Sequence, residues 1–136
     1  MNLTLVDRYG RDDEVMTTTA KFLALTIDCA EPKRLAEFYA AVFGYEVQYS
    51  EEEYAGIGDG AMNLYFQKNT ERTPAAWPGP DKQFHMDVRV PDVEQAVEDY
   101  LKLGASKPDF QPGGENWTVL ADPEGHLFCV CPTRDE

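Results

Sequence analysis

Ala24-Leu25-Thr26-Ile27-Asp28-Cys29-Ala30-Glu31 and His85-Met86-Asp87-Val88-Arg89-Val90-Pro91-Asp92 are one pattern written twice, sixty-one residues apart. Each begins as a strand, because side chains of alternating character point to opposite faces. From Phe22 to Cys29, residues Leu23, Leu25, Ile27 and Cys29 share one face and Ala24, Thr26 and Asp28 the other; Phe84 to Val90 alternates in the same way. Each then changes period. Pro32 suits the first position of a helix whose apolar stripe is Leu35, Phe38, Tyr39 and Val42, with Gly44 as the stop. In the second copy Asp92 caps, with Gln95 three residues on, and Val93, Ala96, Val97, Tyr100 and Leu101 form the stripe that Gly104 closes. Tyr39 falls on Tyr100 in this alignment.

Outward from these two units the chain supplies hairpins. Tyr45–Tyr49, Ala55–Ile57 and Ala61–Gln67 read as strands, the last two joined by Gly58-Asp59-Gly60. In the second half Trp117–Leu120 and His126–Cys131 flank the turn Asp122-Pro123-Glu124-Gly125, and Ser106–Phe110 is the faintest strand signal. Gly60 to Leu64 lies over Gly125 to Cys129 at an offset of 65. Asn69–Lys82 contains Pro74, Pro78, Gly79 and Pro80 and reads as a connector. The expectation is an α+β fold of tandem β-α-β-β-β modules: a polar tail over 1–20, then one domain over 21–132, with module 1 at about 21–68, the linker at 69–82 and module 2 at about 83–132.

Charge narrows the function. Twelve Lys plus Arg against twenty-five Asp plus Glu leave a net charge of −13, which repels nucleic-acid backbones and anionic lipid. No apolar run approaches the roughly 20 residues of a membrane span, and no basic-then-apolar leader stands at the amino terminus. Cys29, Cys129 and Cys131 are an odd set within apolar segments, which fits buried reduced thiols and a cytoplasmic setting.

The helix motif Glu31-Pro32-Lys33-Arg34-Leu35-Ala36-Glu37-Phe38-Tyr39, the Phe84-His85-Met86-Asp87 strand and the Asp122-Pro123-Glu124-Gly125-His126-Leu127-Phe128-Cys129 turn together resemble the glyoxalase/bleomycin-resistance/extradiol-dioxygenase (vicinal oxygen chelate) superfamily, in its glyoxalase-like domain branch. The resemblance covers about residues 21 to 132. It implies sheets curled into an incomplete barrel around a cavity, with helices outside, and often an octahedral metal held by one residue from each of four strands. Those four positions fall on Ala24, Leu64, His85 and Cys129. Ala24 and Leu64 offer no lone pair, so the expectation is no cofactor and no bound divalent metal. A zinc set of His85, Cys129 and Cys131 is chemically sensible but lacks the usual cysteine spacing.

What the resemblance leaves is a cavity lined by Asp28, Leu64, Phe66, His85, Arg89, Leu127 and Cys129, apolar walls with a few titratable groups that suit a small organic ligand. Alternation sends Asp87 and Arg89 inward with His85, facing Thr26 and Asp28, and Met62 and Cys131 join the wall. Arg89 is expected to pair with Asp28 or Asp87, and His126 to face solvent from its turn. Tyr54, Trp77 and Trp117 are candidates to close over a ligand. Three functions compete. One is a metal-independent binder of small organic molecules; the second is an enzyme, either a lyase, isomerase or dioxygenase with rearranged metal ligands or a metal-free acid–base catalyst using His85 and Asp87; the third is a regulatory or interaction module in which the cavity is vestigial and the dimer surface matters. A homodimer covering exposed sheet edges is the expected assembly.

Overall fold

The computed structural model describes residues 18–133, so nearly all of the expected polar tail lies outside the described residues. The elements in chain order are β1 (Leu25–Cys29), α1 (Pro32–Phe43), β2 (Glu46–Ser50), β3 (Tyr54–Gly58), β4 (Asn63–Lys68), β5 (Met86–Val90), α2 (Val93–Lys102), β6 (Thr118–Ala121) and β7 (Leu127–Pro132). They build two open sheets, β1-β4-β3-β2 and β5-β7-β6. In each sheet the last strand of the unit returns parallel to the first: Leu25 pairs with Leu64, and Met86 with Phe128. This is the α+β arrangement expected, with one shortfall. Around Ser106–Phe110 there is only the single bridge Ser106–Ala121, because the Gln111 side chain takes the next place on β6, accepting from Val119 N at 2.8 Å and donating to Val119 O at 2.9 Å.

Both helices lie where their stripes direct them. Pro32 starts α1, and Gly44, at φ 71°, ends it with its N–H on the Ala40 carbonyl. Asp92 caps α2 through Gln95 N–H, as the spacing requires. Leu35, Phe38 and Tyr39 are buried, as are Ala96 and Tyr100; Leu101 is not, being 40% exposed. The strands also begin later than their alternation implies, leaving Phe22, Leu23 and Phe84 exposed.

One core joins the two units. Phe128 of β7 meets Phe38 and Tyr39 of α1 with ring centroids 6.1 Å apart and Tyr100 of α2 at 6.3 Å, while Tyr39 stacks on Phe66 of β4 at 5.9 Å. Burying such rings is the main stabilising term. Among the described residues no helix is long and apolar enough to cross a membrane.

Strand register corrects the sequence reading. Leu25, Ile27, Leu64 and Phe66 pack in the helix-side core, together with Val88, Val90, Phe128 and Val130. Since Leu25 pairs with Leu64 as Met86 pairs with Phe128, the residue of β4 equivalent to Cys129 is Tyr65, at an offset of 64 rather than 65. A slip of one residue moves every side chain to the other face. Leu64 and Phe66 are therefore not on the face that carries His85, Asp87 and Cys129.

Candidate functional site

The open face of β5 and β7, opposite the helices, carries the chemistry. Val88 and Val90 point to the core, so alternation leaves His85, Asp87 and Arg89 on the open side. The ladder sets Asp87 directly opposite Cys129, and Cys129 opposite Val119 of β6. Val119, Leu127 and Cys129 form a second small apolar cluster, with Trp77 and Cys131 packed against it. Trp117 lies over Gly113, where a Cβ would come within 2.5 Å of the indole, so only glycine fits beneath that ring.

These residues enclose a pocket of about 340 Å³ whose walls include Trp77, Trp117, Val119 and Cys129 and whose polar groups are Lys82, His85 and Asp87. The polar groups form a chain. Lys82 Nζ lies 3.3 Å from His85 Nδ1, and His85 Nε2 lies 3.2 Å from Asp87 Oδ1. An ammonium donates and a carboxylate accepts, so this chain suits a neutral imidazole with its proton on Nε2. Lys82 Nζ also sits 5.5 Å from the Trp77 ring centroid, and the indole N–H donates to Phe110 O at 3.1 Å. Burial, and then the negative charge of Asp87, pushes the Cys129 thiol up to about 11, so in this form it is a neutral thiol.

Of the expected site residues, His85, Asp87 and Cys129 come together in this pocket. Asp28 and Leu127 line an adjoining groove of about 480 Å³ that His85 also borders. Leu64 borders a third depression with Asp87, and Phe66 is wholly buried under Tyr39. The Arg89 ion pair is not formed: Asp87 engages His85, and Asp28 accepts from the Asn69 amide at 3.3 Å. The side chain of Lys82 was missed by sequence reasoning, since nothing in the spacing of a Pro-rich connector marks it.

His126 is also corrected. It is not a free turn residue: Nδ1 sits 2.8 Å from the Asp122 carboxylate and Nε2 2.8 Å from the Asp28 carbonyl, so the ring clamps the second-module turn to β1. The same turn reaches further. The Glu124 carboxylate accepts from Ala30 N and, at 2.8 Å, from Glu31 N, capping α1 from the other half of the chain. Cys29 and Cys129 are buried free thiols.

The superfamily's four-strand metal centre does not fit these residues. Ala24 has no donor, and the β4 residue on the open face is Tyr65, whose ring packs 5.8 Å from that of Tyr49. That leaves the two positions in the second module.

Residues 24–131 match the family model described as "Glyoxalase-like domain". The fold is similar to that of hypothetical protein SA1046 from S. aureus, with TM-score 0.62 and 16% identity over 85% of this chain and 96% of that one. It is similar to fosfomycin resistance protein FosX from Mesorhizobium loti, with TM-score 0.62 and 14% identity over 84% and 92% of the two chains. A bleomycin-binding protein complexed with bleomycin gives TM-score 0.55 and 17% identity, over 85% of this chain and all of that one. At such identities the likeness is one of fold. No curated protein sequence matches the chain.

Proposed function

Because the chain belongs to the glyoxalase-like domain family, we propose that it binds a small organic molecule with an aromatic or otherwise flat apolar part in the pocket beside β5 and β7. The observation that carries this reading is the pocket's composition: two indoles and aliphatic walls around a short polar chain of Lys82, His85 and Asp87. Apolar walls supply affinity and a few fixed polar groups supply orientation. His85 and Asp87 orient the ligand's polar end, Cys129 serves as a neutral wall, and Asp28 and Leu127 line the adjoining groove that His85 also borders.

Both tryptophans of the chain line the pocket, so tryptophan emission excited at about 295 nm, where the seven tyrosines barely absorb, reports on it. Titration with 2-naphthol and naphthalene-2-carboxylate is expected to change that emission saturably and to raise the melting temperature. Val119→Trp, which fills the pocket, is expected to abolish the response. No saturable change with either probe would overturn the reading.

A second reading is favoured by the 3.2 Å His85–Asp87 contact, which would let the pair act as an acid–base couple on a bound substrate. Here His85→Gln would keep binding and lose turnover. We further place the protein in a reducing compartment, the cytoplasm, as a homodimer. The edge strand β2 is exposed along its whole length, and an uncovered edge invites pairing. Light scattering that gives about 15.3 kDa at high concentration would reject the dimer.

A further inference from the structure

Given the organic-ligand reading of the pocket, on which this rests, we propose that Lys82 makes the pocket selective for flat aromatic molecules bearing a single carboxylate, with the ammonium pairing directly with that carboxylate. The charge on Lys82 is uncompensated. The side chain is half-buried and its contacts are neutral: Nζ lies 3.3 Å from His85 Nδ1 and 5.5 Å from the centroid of the Trp77 ring. Among the described residues Lys82 forms no ion pair with a carboxylate, whereas Lys68 meets Glu52 at 3.4 Å. An ammonium set against an indole and an imidazole has lost water without gaining an anion, so a ligand that supplies one is favoured there.

Asp87, the one carboxylate among the pocket's lining residues, is kept off by the ring between them. His85 Nε2 lies 3.2 Å from Asp87 Oδ1, so the imidazole holds the carboxylate and the ammonium at its opposite ends. An ammonium has three N–H donors. With one given to Nδ1, two remain, which matches the two oxygens of a carboxylate. Lys82 and Trp77 both belong to the Pro-rich connector, so the segment that carries the charge also carries the flat wall beside it. A charge-assisted N–H···O contact is about 2.7–2.9 Å long, so a ring attached directly to the carboxyl carbon stays within reach of that indole.

The same polar groups disfavour other ligand charges. Lys82 is the only Lys or Arg lining the pocket, and a phosphate dianion, which calls for several donors, would bring a second negative charge toward Asp87. A neutral aromatic keeps the apolar walls but forgoes the ion pair. The chain's net charge of −13 does not reverse this preference. Exposed charges farther away than about 8 Å are largely screened at physiological ionic strength, whereas a direct contact at a half-buried ammonium is screened much less.

The test is calorimetric titration of the full chain, at physiological ionic strength, with probes that share one ring system: naphthalene-2-carboxylate, its neutral isostere naphthalene-2-carboxamide, and 2-naphthyl phosphate. The carboxylate is expected to bind about 10-fold more tightly than the carboxamide or better, and the phosphate no more tightly than the carboxylate. Lys82→Met keeps the aliphatic stem and removes the ammonium, so it should abolish the preference for carboxylate over carboxamide. Should that variant fail to fold, Lys82→Gln must do the same. Equal affinities for carboxylate and carboxamide in the wild-type chain, survival of the preference without the ammonium, or tighter binding of the phosphate would overturn the role of Lys82. In each of those cases the carboxamide still binds and the organic-ligand pocket stands, whereas failure of every probe to bind would overturn both.

Discussion

The Tyr39 hydroxyl donates to Asp122 Oδ2 at 2.7 Å across eighty-three residues of chain, and both groups are buried. Around the same carboxylate gather the His126 ring and the backbone N–H groups of Glu124 and His126, so the helix of the first module and the turn of the second share one polar knot inside the core. The surrounding low dielectric strengthens each of these bonds and makes each expensive to leave unmade. It also raises the Tyr39 hydroxyl well above its ordinary value, by burial first and by the charge of Asp122 second, which keeps it a donor.

Tyr39→Phe removes one donor from that buried carboxylate and little else. The expected loss is about 1–3 kcal/mol in urea unfolding. A loss under about 0.3 kcal/mol would mean that Asp122 is satisfied without Tyr39.

Glu124→Ala strips the carboxylate from the N–H groups of Ala30 and Glu31, the two residues that lead into α1, although Glu124 lies 94 positions from Ala30. Loss of a helix cap costs about 0.5–2 kcal/mol, and the amide protons of Ala30 and Glu31 should exchange faster while those of α2 do not change. Unaltered exchange at both amides would count against the capping role.

Gly113→Ala places a methyl group into the Trp117 ring, 2.5 Å from the nearest indole carbon. Because the Trp117 backbone carbonyl is equally close, the ring alone cannot relieve the clash. A destabilisation of about 1–3 kcal/mol is expected, with a shift in tryptophan emission and loss of probe binding. Wild-type stability and emission in this variant would refute the packing of Trp117 over Gly113.

Cys29 gives the pH dependence. Burial, followed by the charges of Glu124 and Asp122, pushes its thiol up from 9.0 to about 12. Between these values the unfolded chain has lost the proton and the folded chain retains it. Unfolding therefore releases a proton, and stability falls as pH rises through that window. Cys29→Ala lacks this dependence, so the stability gap between wild type and variant should be constant below pH 9 and narrow above it, by at most about 1.4 kcal/mol per pH unit. A gap that stays constant up to pH 11 would contradict the assignment.

Much of this molecule is legible in its residues because much of it is local. The change from a period of two to a period of 3.6 after Cys29 and again after Val90, the Asp92 cap, and Gly44 as a helix stop are all decided within a turn or two of chain, and the structure places each as the pattern requires. The repeat at an offset of 61 then calls for two equivalent units. What the pattern could not settle is how far one strand slides along its neighbour. Asn63-Leu64-Tyr65-Phe66 alternates equally well in either register, and the choice between Leu64 and Tyr65 as the open-face residue depends on loop lengths and on Tyr39 packing against Phe66. The same holds for His126 and Glu124. Each looks like a solvated turn residue until the fold brings Asp28 and the amino end of α1, over ninety positions away, to within a hydrogen bond. Asp87 and Cys129, forty-two residues apart, became neighbours in the same way, because β-ladder pairing is a contact between distant segments and leaves no periodic mark on either one.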